Sequence, residues 1–458
     1  MPPSLTTDHV LSLAPDAASA KSGKSLSSPR SWLSLGQRDQ ALWGECQGSG
    51  REPYRTQIDL SEPAFRCSCP SRKFPCKHSI GLMLLLAGQP AAVPEAAPPG
   101  WVEEWLATRA KSAAAREQRR QAAEDDPAAA EGRRAASQAK AAAAREAKVA
   151  AGAQELGIWL RDQLREGLAA APGRAPAAFE RMAARMVDAQ APGLARLLRA
   201  MGGTPASGDG WQGRLLEQLA RMHLLVEGYA RFKGTADSGQ GTAEGDVFTP
   251  EEQADIRSAI GFTQSQEELL RGAGLRDRWL ILGRRVEDED RLRVQRTWLW
   301  GESCAAPALV LDFSAAGQPL DRSLIPGGSL DADLAFFPGA APLRALVQRR
   351  HGGIEALPAL PALDIAAALG SYAAALARSP WLERYPLCLG PIRLAQAGDG
   401  WLVCDESGRG LPLAPQFGRA WELLARSGGH PFSLCGEWDG DRLTPISAWV
   451  DGFVDLGG

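Results

Sequence analysis

A chain of 458 residues, 45% hydrophobic and 23% charged, has room for about three domains and the balance of a soluble globular protein. Its net charge of −3 is uneven, +2 over residues 1–100, +4 over 101–201 and −9 beyond, which excludes wholesale nucleic-acid binding and leaves only a local basic site for that task. No apolar run approaches the roughly 20 residues of a membrane span, and eight mostly isolated cysteines are no disulfide framework, so a reducing cytoplasm is the expected compartment.

The N-terminal stretch has no basic start followed by an apolar run, so no export signal is expected. "ASAKSGKS", Ala18 to Ser25, resembles the end of a phosphate-binding loop. Ala18 stands where the first glycine belongs and a poor helix follows, so nucleotide binding is not expected. Within the N-terminal region, 1–90, residues 31–90 read as a small β-then-α unit. "ALWGECQG" and "YRTQIDL" are two strands, the second alternating Tyr54, Thr56, Ile58 and Leu60, with Gly48, Gly50 and Pro53 in the turn. A short apolar helix, "IGLMLLLA", stops at Gly88 and Pro90.

Residues 91–154 begin as a Pro/Ala linker and continue as an Ala-, Arg-, Glu- and Lys-rich segment. That composition favours helix but offers no face to bury. We expect a solvated helix, a helical hairpin broken at "EDDPAAAEG", or a disordered stretch. From Glu155 the pattern changes: Leu156, Trp159, Leu160, Leu164 and Leu168 recur at helical spacing, and three later stretches repeat it, which predicts a helical domain over 155–274.

Residues 275–458 predict a mixed α/β domain. "RWLILGRRV" and "RLRVQRTWLW", joined by "EDED", read as a hairpin, with "ALVLDF" as a third strand. Helices are expected near 341–350 and 363–378. "LCLGPIRLAQ", "GWLVCDE" and a last pair turning at Asp439-Gly440 are further strands. Eight of the fourteen tryptophans lie between Trp279 and Trp449, where cross-strand packing is the expected role. The fold class is multidomain α+β.

Three of the cysteines and one of the five histidines fall in "CSCPSRKFPCKH", as Cys67-x-Cys69-x6-Cys76-x-His78. In extended backbone, residues two apart point to one side, so Cys67 and Cys69 can share a target. On a regular helix that spacing would splay them by about 200°. Cys76 therefore belongs just before a helix and His78 in its first turn. Three sulfurs and an imidazole match a closed tetrahedral site for one structural zinc ion. Against a disulfide stand the compartment and the strain of bridging Cys67 to Cys69; iron–sulfur centres normally take four cysteines. Arg66, Arg72, Lys73 and Lys77 surround the site, with Arg51 and Arg55 on the preceding hairpin. They would hold the thiols deprotonated or contact phosphates or a partner.

The C-x-C-x(n)-C-x-H pattern after a hairpin and before a helix resembles the SWIM zinc finger family, and "LWGECQGSGREPYRTQIDL" resembles its bacterial branch in particular. The likeness covers 60–80 residues, with the finger at about 43–88. It maps the four metal ligands onto Cys67, Cys69, Cys76 and His78. It implies an interaction module that binds protein partners, or DNA through its basic face. A MoxR-type AAA ATPase or a von Willebrand factor A protein is the partner it suggests. No H-E-x-x-H, G-x-S-x-G or G-x-G-x-x-G after a strand is present, so an enzyme is not expected. Cys304, Cys388, Cys404 and Cys435 are expected as small buried hydrophobes, and His223, His351 and His430 as residues without ligand roles.

Overall fold

The computed structural model describes residues 5–48, 52–61, 63–168, 171–238, 248–289, 292–315 and 318–457. It divides into two compact units, 1–139 and 140–458. Arg51 and Gly50 lie outside the described residues.

The first unit opens with helices α1 (Thr7–Ser12) and α2 (Ala17–Ser25), each capped by a side-chain oxygen, from Thr6 and Asp16. A four-stranded antiparallel meander follows: β1 (Trp32–Arg38), β2 (Ala41–Cys46), β3 (Tyr54–Asp59) and β4 (Ala64–Cys67). Two of these strands were expected and two were not. Helix α3 (Lys77–Gly88) then lays Ile80, Leu82 and Leu85 against Leu42 and Ile58. The glycine of the phosphate-loop lookalike is inside α2. A Cβ on Gly23 would come within 2.5 Å of Ile80, so Gly23 serves close contact between α2 and α3 rather than a ligand.

The expected linker is not free. The Gln37 amide donates to the Pro94 carbonyl and the Ala96 amide to the Gln37 carbonyl, so residues 93–96 run beside β1, with Val93 buried. Helix α4 (Gly100–Asp125) continues, its Val102, with Trp101 and Leu106, packed on Ala41 and Trp43. Arg109 is paired with Asp59 at 3.0 Å. After a break at Asp126, helix α5 (Pro127–Glu166) begins with Pro at its first position. Of the readings open for 101–154, the helical one with a break at "EDDPAAAEG" is what the structure shows.

In the second unit, the later turns of α5 join α6 (Ala171–Asp188), α7 (Pro192–Gly202), α8 (Trp211–Ser238) and α9 (Pro250–Ile260) around one apolar core. Val149 and Ala153 already belong to that core, so the bundle starts earlier than the break expected at 155. Helix α10 (Gln266–Arg271) leads into the strand region.

Here β5 (Leu275–Glu289) and β6 (Leu292–Gly301) form a long hairpin, joined by β7 (Pro307–Ala315), β8 (Gly328–Phe336), β9 (Ala345–Arg350) and β10 (Glu355–Ala356) in one sheet. The helix expected at 341–350 is strand β9. Its Ala, Leu and Arg suit a helix, but it pairs with β8, and pairing outweighs local preference. Glu287, Asp288 and Glu289, expected in a turn, continue β5, where Glu287 is drawn into ion pairs; Asp290 lies outside the described residues.

Helix α11 (Ile365–Arg378) precedes a second six-stranded sheet. It is built of β11 (Tyr385–Ala397), β12 (Gly400–Asp405), β13 (Gly410–Pro412), β14 (Phe432–Trp438), β15 (Leu443–Trp449) and β16 (Phe453–Asp455), with α12 (Ala420–Ser427) inserted before β14. The two sheets share a core in which Leu282 and Trp298 meet Cys435 and Ile446. Trp279 and Trp298 are fully buried, in keeping with a packing role, whereas Trp421 is exposed edge-on to Trp401.

Cys388 and Cys435, expected as separate thiols, face each other across β11 and β14 and form a disulfide. The other six cysteines form no disulfide. His351, expected without a partner, has Nε2 2.9 Å from Asp333. Among the described residues no helix is long and apolar enough to cross a membrane.

Candidate metal centre

Each ligand is placed by a different piece of local structure. Cys67 ends β4, opposite Thr56 on β3. Cys69 follows two residues on, as the chain leaves the sheet. Cys76 is the N-cap of α3, in extended conformation, so His78 falls in the first helical turn. The ligand atoms of all four residues lie within 4.8 Å of one another. Among the described residues this is the group that could hold a metal ion. Cys46 is buried nearby in sequence but is not part of it.

The distances fit zinc. With Zn–S near 2.3 Å and Zn–N near 2.0–2.1 Å, tetrahedral geometry requires sulfur–nitrogen edges of about 3.6 Å. His78 Nδ1 is 3.7 Å from Cys67 Sγ and 3.9 Å from Cys76 Sγ. His78 is buried, and its ring lies 5.2 Å from that of Tyr54. Four protein donors fill the coordination shell, so Cys67, Cys69, Cys76 and His78 hold one structural zinc ion with no open position for a substrate.

Before the ion binds, the three sulfurs are not equivalent. Hydrogen bonds from Cys67, His78 and Ser79 outweigh burial and hold the Cys76 thiol down at about 3. Cys67 is pushed far up, first by its hydrogen bond with Cys76 and then by burial, while burial raises Cys69. The basic residues expected to favour thiolates are not the main cause. Lys73 is instead bound to Asp16 at 2.7 Å, and Arg66, Arg72 and Lys77 face solvent. The start of α3 adds a favourable field for an anionic cluster. Sequence reasoning found the four ligands but not Ser79 or Thr56. Thr56 Oγ1 lies 3.2 Å from Cys67 Sγ, and only strand register could have revealed it.

A pH dependence follows. With Cys76 ionised and Cys67 and Cys69 protonated near neutrality, binding zinc displaces about two protons, so affinity should rise about 100-fold per pH unit. Acidification is the weakening direction, since protons then compete for the same sulfurs. Competition against a chromophoric chelator between pH 6.5 and 7.5 measures the slope. A slope near zero would mean that all three sulfurs are already ionised.

The model of the SWIM zinc finger matches residues 54–87, from β3 through the four ligands to the end of α3. That of the SWIM-associated four-helix bundle domain matches residues 144–260, the helical core of the second unit. No curated protein and no solved structure matches the chain. The chain thus carries a SWIM zinc finger whose ligands converge as zinc requires, followed by the four-helix bundle domain associated with that finger.

Proposed function

We propose that the zinc finger is a protein-docking module and that the chain works as an adaptor or scaffold. The observation that carries this reading is Phe74. It sits in the loop between the second and third ligands, 67% exposed, with its ring edge-on to Phe65 at 5.7 Å. A large apolar side chain presented by a metal-anchored loop is suited to fill a partner's pocket. Following the family resemblance, the partner is a MoxR-type ATPase or a von Willebrand factor A protein. Phe74 is not a ligand, so Phe74→Ala should keep stoichiometric zinc. It should weaken binding to such a partner at least 10-fold in a titration of the full chain. Equal affinity of the variant and the wild type would remove the finger from the interface.

The same surface supports a second reading, binding of single-stranded nucleic acid by stacking on Phe74. With Lys73 occupied by Asp16, the available cations are Arg66, Arg72 and Lys77. Three phosphate contacts on a single strand give a slope of about −2.1 in log affinity against log salt, or about a 20-fold loss between 50 and 200 mM. An absence of binding to random single strands at 50 mM would eliminate this reading.

A further inference from the structure

Thr56 and Ser79 carry hydroxyls that water does not reach, at 0% and 1% exposure. A hydroxyl so placed needs a hydrogen-bond partner within the protein. Each has a metal ligand beside it. Thr56 on β3 stands directly opposite Cys67 on β4, so the two side chains share one face of the sheet, with Oγ1 3.2 Å from Sγ. Ser79 follows Cys76 by three residues at the start of α3, and its Oγ is 3.5 Å from the Cys76 Sγ. Cys69, in contrast, takes a hydrogen bond from a backbone N–H, that of Ser71. Cys67 and Cys76 are therefore the sulfurs with a side-chain bond that substitution can remove.

Zinc settles the direction of these two bonds. In the free site either the hydroxyl or the thiol could donate. Once the sulfurs bind the ion as thiolates they have no proton to give, so each hydroxyl must donate. Three thiolates and one dication leave a net negative charge, held where Cys76 and His78 are buried. A buried anion is costly unless it is hydrogen-bonded, and a hydrogen bond to an ionised acceptor is about twice as strong as a neutral one.

We propose that Thr56 and Ser79 are positioning residues of the metal centre: each hydroxyl donates to a zinc-bound sulfur, orients it and withdraws part of its charge, and so tightens the hold on the ion. Neither is a ligand; each acts through one. Partners of this outer kind are worth about 10–100-fold in metal affinity. The inference rests on the metal centre alone and stands whatever Phe74 docks on.

The test is cobalt substitution of the full chain, in the wild type and in Thr56→Val and Ser79→Ala. Valine keeps the branched shape of threonine on a strand, and alanine is more favourable than serine in a helix, so each change removes a hydroxyl and little else. A hydrogen bond lowers the energy of the sulfur lone pairs. Losing it should move the sulfur-to-cobalt charge-transfer band to longer wavelength in each variant, and further in the double variant. Zinc affinity, measured by chelator competition, should fall about 10-fold in each. Thr56→Ser, which puts a hydroxyl back, should return both the band and the affinity toward the wild type. Bands unchanged in both single variants, or a loss of affinity that Thr56→Ser shares in full, would overturn the inference. If Thr56→Val does not fold, the band of Ser79→Ala decides. A wild-type chain that takes up no cobalt or zinc would overturn the metal centre itself, and this inference with it.

Discussion

Removing zinc from the protein, or replacing Cys76 by alanine, should abolish fixed structure from β4 through the first turn of α3 while the helical bundle and C-terminal sheets stay folded. The ligands are what connect these parts. Between Ser68 and Pro75 the chain has no helix or strand, and β4 has only four residues. Binding of structural zinc contributes roughly 10–16 kcal/mol in small peptides, which rivals the whole net stability of a typical domain, about 5–15 kcal/mol. The first unit has its own core around Leu42, Ile58 and Ile80, so chelation should not reduce it to a random coil. A loss of even 3 kcal/mol corresponds to about 15 °C in melting temperature for a unit of this size. Amide exchange of residues 65–80 should approach the solvent rate after chelation and recover when zinc is restored. Unchanged exchange after complete metal removal would show that the ion is not structural.

The second large effect is expected far from the metal, at Glu437. This β14 carboxylate is 2% exposed, accepts from Trp298 Nε1 at 2.8 Å and from Arg384 at 2.9 Å, and lies 3.6 Å from the Arg296 guanidinium. Arg296 also contacts Glu287 and Glu289. Burial, aided by repulsion from Arg384, holds Arg296 down at about 10, so its carboxylates only partly offset its desolvation. Glu437→Ala would leave Arg296 buried with less compensation and Trp298 without its acceptor. Breaking such a pair costs about 3–5 kcal/mol. Glu437→Gln, which keeps an acceptor for Trp298, should cost less. Arg296→Met combined with Glu437→Leu should regain most of the loss, because the unpaired charge is removed. Denaturant melts of the four proteins provide the comparison, and a harmless Glu437→Ala would show that the network contributes little to stability.

The metal ligands were legible because the alternation of extended backbone and the geometry of a helix start act over two residues, and both fall within a 12-residue stretch. What reached across the chain was not. Cys388 and Cys435 are 47 residues apart and meet only through strand register. Glu287 reads as turn charge until β5 is seen to continue through it and bring it to Arg285 and Arg384. Residues 345–350 follow their partner strand rather than their own preference. In Leu164, which is half exposed, the helical period was read correctly and the burial was not. A periodic leucine faces an apolar surface, but sequence does not say whether that surface is closed.

The strip at residues 93–96 and the start of α4 bear on how the finger can be studied in isolation. A fragment ending at residue 90 would keep all four ligands and still bind zinc. It would also bare Trp43 and leave the Gln37 amide and carbonyl without their partners. Unpaired strand edges and stranded tryptophans adhere to other chains without selectivity. Such a fragment would yield sticky material and misleading pull-downs, whereas one extended past Arg109 retains its natural cover.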